Sequence, residues 1–146
     1  MSQNIRIPAV REYLTHHLAN VFDTMLGMKA VIVPDAELPH FVERISGSAG
    51  FGGQNVTGAV YIHLSATFAL QITGVMLGIP PGEPIGESDV NDVVGEASNM
   101  LTGGLKSWLC DAGSECAVST PAINNAVSME DNSQAPARLP VLRSTK

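Results

Sequence analysis

The stretch from Asp89 to Leu109 constrains this chain most. Its apolar residues, Val90, Val93, Val94, Ala97, Leu101, Leu105 and Trp108, recur at steps of three and four. That spacing predicts one long helix, beginning at about Ser88 or Asp89 and ending at Leu109, with Gly113 past its end. At ~1.5 Å per residue it is about 30 Å long. The apolar residues share one broad face, the predicted core face. On the opposite side Asp92, Glu96, Asn99, Gly103 and Lys106 fall within an arc of roughly 80°.

That opposite side admits two readings. A solvated helix face accounts for Asp92, Glu96 and Lys106. It accounts less well for Asn99 and Gly103, both poor helix formers; glycine costs ~1 kcal/mol against alanine inside a helix. Glu96 and Asn99 stand three residues apart, so their side chains emerge together. Gly103, with no side chain, leaves an open floor beside the carboxylate and the amide. Gly104 points toward the core side and allows close packing.

Before this helix the chain predicts a helix over Val10–Leu26 closed by Gly27, a strand over Lys29–Val33 stopped by Pro34, and a short strand around Phe41–Ile45. Adjacent His16 and His17 point about 100° apart on the first helix, which ill suits chelation, and read as surface or half-buried residues. The Gly50–Asn55 cluster lacks the Lys-Ser/Thr of a phosphate-binding loop and reads as a turn between antiparallel strands. Val56–Leu64 is the next strand. Ser65 caps a helix over Ala66–Leu77 that Gly78 and Pro80 end. After the long helix, Glu115–Ser119 reads as a strand leading to Pro121. The segment from about residue 133 reads as a loose tail. Hairpins beside helices predict an α+β fold with a largely antiparallel sheet, in one domain over 1–146.

Composition narrows the function classes. Charged residues are 15% of the chain, which suggests surface covered by a second subunit or a partner, and a homodimer is expected. Fourteen acidic against eight basic residues give a net charge of −6, which disfavours nucleic acid and anionic membrane as partners. Cys110 and Cys116 are too few for a disulfide scaffold, and no His or Cys cluster completes a metal site. No signal peptide and no apolar run of ~18 residues is readable, so a cytoplasmic protein with reduced thiols is expected.

The segment Asn91-Asp92-Val93-Val94-Gly95-Glu96-Ala97-Ser98-Asn99-Met100-Leu101-Thr102-Gly103 resembles the signature of the CheC/CheX/FliY family of chemotaxis phosphatases, most of all its CheX branch. The family pattern is Asp or Ser, three residues, Glu, two residues, Asn, then a Pro some twenty-two residues on. Asp92, Glu96 and Asn99 match it, and Pro121 follows Asn99 with twenty-one residues between. The likeness runs from the first helix through Pro121. Two departures stand out. The first helix offers only Glu12 and Thr15 at the motif spacing, which indicates a single site, and the family's usual strands after the Pro are not readable.

The resemblance implies hydrolysis of the phospho-aspartate of a CheY-like response regulator. In that reaction the partner receiver domain supplies the phosphoryl group, Mg²⁺ and a lysine, and this chain supplies no cofactor. An amide oxygen accepts from water while its NH₂ donates to a phosphoryl oxygen. Asn99 would therefore orient the attacking water, as a glutamine does in small GTPases. Glu96 would pair with the receiver lysine. Asp92 would contact the partner, and Gly103 would let its backbone come close. The alternative is a non-catalytic receiver-binding module of the same fold.

Overall fold

The computed structural model describes residues 5–33, 43–124 and 141–145. The element order is α1 (Ile7–Leu26), β1 (Lys29–Val33), β2 (Arg44–Gly52), β3 (Thr57–Ser65), α2 (Ala66–Leu77), α3 (Glu87–Asp111), β4 (Ala117–Val118), β5 (Ala122–Asn124) and β6 (Val141–Thr145). This is the α+β, antiparallel arrangement that the sequence predicts. β2 to β5 with α2 and α3 form one compact unit, and α1, β1 and β6 form another.

The larger unit is built on the β2–β3 hairpin, paired from Arg44↔Ser65 to Gly52↔Thr57. Its turn closes through the Gly53 N–H, which donates to the Val56 carbonyl at 2.8 Å. The turn is thus shorter than the sequence reading gave, because Gly50, Phe51 and Gly52 belong to β2. Gly50 and Gly52 pair with Ala59 and Thr57 rather than turning the chain, and the close packing falls at Gly58. A Cβ on Gly58, opposite Phe51, would lie 2.7 Å from the tip of the Phe51 ring. The expected strand start at Phe41 lies outside the described residues.

The other edge of β2 carries β4 and β5 end to end, β4 through Phe51 and Gly52 and β5 through Ser46 to Ser48. Between them Ser119, Thr120 and Pro121 oppose only Ala49 and Gly50, the residue count of a bulge. Pro121 has no N–H to give a ladder, so the strand breaks there. Ser119 closes the gap. Its N–H donates to the Gly50 carbonyl at 2.8 Å, and its Oγ accepts from the Gly50 N–H at 2.8 Å.

α2 begins where Ser65 Oγ accepts from the Phe68 N–H at 3.1 Å and ends at Gly78, whose φ is 67°. Both boundaries are those of the sequence reading. α3 extends it slightly at each end and packs on β2 and β3. Val94 and Ala69 are fully buried among Ile45, Ile62, Leu64 and Ile123. The contact is tightest at Gly47, where a Cβ would overlap Ser98 Oγ and lie 3.1 Å from Val94 Cγ1. Ser98 and Thr102 are buried, yet neither hydroxyl is orphaned. Ser98 Oγ donates to the Val94 carbonyl at 2.9 Å, and Thr102 Oγ1 to that of Ser98 at 2.7 Å.

This closeness turns α3 slightly from its expected orientation. Val90, Val93, Val94, Leu101 and Leu105 are buried as expected, but Ala97 and Trp108 are only half-buried. Gly95, Ser98 and Thr102 take the centre of the contact instead, because only small residues fit between helix and strand.

In the smaller unit α1 starts one turn before Val10, since a proline is compatible with the first helical turn. Gly27 ends it with φ 63°. His16 is exposed, and the half-buried His17 stacks on Tyr13 with ring centroids 5.6 Å apart. β1 pairs antiparallel with β6, from Lys29↔Thr145 to Val33↔Val141. The tail therefore contains a strand that the sequence reading did not give. Pro34 and residues 133–140 lie outside the described residues.

Gly47→Ala tests the helix–strand contact. Overpacking of this kind costs ~1–3 kcal/mol. Urea denaturation should show a loss in that range, and a variant as stable as the parent would contradict the packing.

Candidate functional site

The candidate site is the outward face of α3. Gly86 offers no side-chain cap, but Glu87 and Asp89 in the first turn complement the positive end of the helix dipole. Once Val94, Ser98 and Leu101 are seated on the sheet, helical geometry fixes what faces away. Asp92, Glu96 and Asn99 are all exposed. Gly103, one turn beyond Asn99, is half-buried, and a Cβ built on it meets nothing within 4 Å. The structure thus brings Asp92, Glu96, Asn99 and Gly103 together in one stripe, with a half-buried Lys106 continuing it.

Pro121 is also drawn to this helix. A Cβ on Gly95 would lie 3.9 Å from Pro121 Cγ and 3.8 Å from Ile123 Cδ1. Gly95 directly precedes Glu96 and lies one turn before Asn99, so the β4–β5 break buttresses the helix at the candidate site. Sequence reasoning gave Pro121 only as a spacing. The part of Gly95 in accommodating it was missed, although a glycine next to the motif Glu was the available signal.

The arrangement has a definite chemical range. A carboxylate and an amide emerge together from a convex surface, beside a patch of bare backbone. No enclosed cavity is needed to reach them. Such a face can present hydrogen-bonding groups to a macromolecule, docking Glu96 as a charge and Asn99 as a donor and acceptor at once.

The family model described as "Chemotaxis phosphatase CheX" matches residues 45–137. The chain belongs to the CheX family. Comparison with curated proteins gives no match. Among solved structures it is similar to the chemotaxis protein CheX from Vibrio vulnificus, with 28% identity and a TM-score of 0.68, over 84% of this chain and 78% of that one. It is similar to a CheC-like superfamily protein from Shewanella sp. PV-4, with 31% identity and a TM-score of 0.64, over 83% of this chain and 78% of that one. The CheX of a CheX–CheY–BeF₃–Mg²⁺ complex from Borrelia burgdorferi shares the fold, at 16% identity and a TM-score of 0.65, over 92% of this chain and 87% of that one. The match to the CheX model spans the hairpin, α2, the whole of α3 and Pro121, all the elements that build the stripe. No helix among the described residues is long and apolar enough to cross a membrane.

Gly103 gives a test of whether this face is shaped for stability or for something else. Open space surrounds it, so Gly103→Ala introduces no clash and restores helix propensity. The variant should gain ~0.5–1 kcal/mol in urea denaturation. A loss of stability would show that Gly103 is a packing residue and not an open floor.

Proposed function

We propose that this chain is a phosphatase that hydrolyses the phospho-aspartate of a CheY-like receiver domain. The observation that carries the reading is the joint exposure of Glu96 and Asn99, three residues apart on α3, in a chain of the CheX family. The fold-related CheX from Borrelia burgdorferi supports the partner class, since it forms a complex with CheY, BeF₃ and Mg²⁺.

The proposed chemistry asks little of this chain beyond position. Phosphoryl transfer has a loose transition state, so catalysis lies in aligning the nucleophile and stabilising charge. Asn99 places the attacking water in line: its amide oxygen accepts from the water and its NH₂ donates to a phosphoryl oxygen. Glu96 pairs with the receiver's active-site lysine and sets the register of docking. Mg²⁺ belongs to the receiver. Asp92 contacts the partner one turn before Glu96, and the bare backbone at Gly103 lets the partner approach. A receiver domain holds its phosphoryl group in a shallow pocket, and a protruding helix is the shape that reaches it.

The proposal places the reaction in the cytoplasm and the protein in a homodimer. Exposed Met25, Val31, Tyr61, Leu70 and Leu77 support the second point, together with the low charge content. Light scattering at micromolar concentration should give twice the 15.3 kDa of one chain, and a particle of single-chain mass would contradict it.

Two substitutions separate the roles. Asn99→Ala removes the water-orienting group and leaves the docking surface nearly intact. Turnover should fall ~10²–10³-fold, the usual loss for one preorganised donor, with little change in affinity. Glu96→Ala removes a charge contact, so binding and turnover should both weaken, by an amount that shrinks at high salt. Both variants should melt like the parent, because both positions face away from the core. Receiver dephosphorylation with thermal melts alongside measures all of this. An Asn99→Ala protein with parental turnover would overturn the role of Asn99. A parent that binds the receiver without accelerating phosphate release would be the non-catalytic module instead.

A further inference from the structure

Beyond Asn99 the outward stripe of α3 ends in a charge that the proposed chemistry does not use. Lys106 is the one basic residue of Glu87–Asp111, against Glu87, Asp89, Asp92, Glu96 and Asp111. It follows Asn99 by two helical turns, about 20° round the helix and ~10.5 Å further along the axis. Gly103 lies between them, and a Cβ built there meets nothing within 4 Å. The floor between the amide and the lysine is therefore open. The stripe is also polar along its length, with carboxylates at Asp92 and Glu96 and a half-buried ammonium-bearing residue at the other end.

The ordinary uses of a helical lysine do not account for Lys106. Its neighbours at three and four positions are Thr102, Gly103, Leu109 and Cys110, none of them acidic. It makes no ion pair or hydrogen bond among the described residues. The helix dipole favours a cation within the last turn, and the last turn of α3 holds no basic residue. Its charge is felt at Cys116, but burial pushes that thiol up while Lys106 pulls it down, and the net shift is upward. Cys116 keeps its proton and gives Lys106 no counter-charge. A half-buried cation is thus left without an anion on the face where Glu96 and Asn99 emerge.

We propose that Lys106 recognises the phosphoryl group, so that this face docks on the phosphorylated receiver in preference to the unphosphorylated one. The inference rests on the proposed function for its partner class. A phosphoryl group brings a charge of about −1.5 to −2. This chain meets it with a net charge of −6 and with two carboxylates on the docking stripe. Glu96 is occupied by the receiver's lysine, and Asn99 is neutral. Neither gives the phosphorylated form an electrostatic advantage, and without a cation the stripe would disfavour it. Lys106 reverses that sign, as a flexible point charge beside the open floor at Gly103. Once the phosphoryl group is hydrolysed the attraction is gone, and the spent receiver leaves.

The test is calorimetric titration of a CheY-like receiver domain, once charged with BeF₃ and Mg²⁺ in place of the phosphoryl group and once with Mg²⁺ alone. The parent should bind the charged form more tightly. Lys106→Gln should weaken binding of the charged form ~10-fold or more and leave the uncharged form nearly unchanged. Lys106→Arg, which keeps the charge, should retain most of the preference, and both variants should melt like the parent. A parent without preference, or a Lys106→Gln protein that keeps the preference or loses equally on both forms, would overturn the proposal. Phosphate release is read separately. Preference that depends on Lys106 without accelerated release upholds this inference against the phosphatase reading, whereas accelerated release unaffected by Lys106→Gln, with the preference intact, does the reverse.

Discussion

The close approach of α3 to β2 at Gly47 governs much of the larger unit. A helix carrying large apolar residues all along its inner face would stand further from the sheet and could settle in several rotations. Here a glycine on the strand meets a serine on the helix, and Gly95 and Thr102 flank that contact. Small residues let the backbones come near, and close-packed interiors resist sliding once such surfaces interlock. The buried hydroxyls of Ser98 and Thr102 bond within the helix, so they add no unsatisfied polar group. The rotation of α3 is thereby fixed, and with it the identity of every outward residue.

The outward stripe follows from that inner contact. Glu96 and Asn99 are exposed because Val94, Ser98 and Leu101 are not. Pro121 reinforces the same arrangement from the other edge of the sheet. It interrupts the pairing of β4 and β5 with β2 and rests against Gly95, one residue before Glu96. Ser119 repairs the ladder at that break. The same break in the strand thus supports the helix turn from which Glu96 emerges. A rigid helix that displays an amide and a carboxylate suits the proposed reaction, in which the partner would bring the metal and the phosphoryl group and this chain would supply preorganisation.

Legibility in the sequence tracked how local each signal is. The boundaries of α2 were readable because Ser65 and Gly78 act within a turn of their own positions. The outward stripe of α3 was readable because helical angles are fixed by neighbours in the chain. The glycines at the end of β2 misled, since a Gly-rich run serves equally to turn a chain or to continue a strand, and only the pairing of Gly50 and Gly52 with Ala59 and Thr57 decides between these. The displacement of Ala97 and Trp108 from the centre of the core has the same origin: the packing partner of Ser98 is fifty-one positions earlier in the sequence. β6 escaped notice because Val141-Leu-Arg-Ser-Thr is short and half polar, and its partner β1 lies near the opposite end of the chain. Pairings of that kind carry almost no local signal.

In the proposed function, the exposed stripe of α3 makes this chain a catalyst acting on a receiver domain. The most direct measurement is phosphate release from a Mg²⁺-bound receiver charged with acetyl phosphate and then freed of it, with this chain at a tenth of the receiver concentration. The account predicts that all the phosphoryl group is released faster than the spontaneous rate, through many turnovers per chain. Release at the spontaneous rate, or acceleration of only as much receiver as there is added chain, would contradict it.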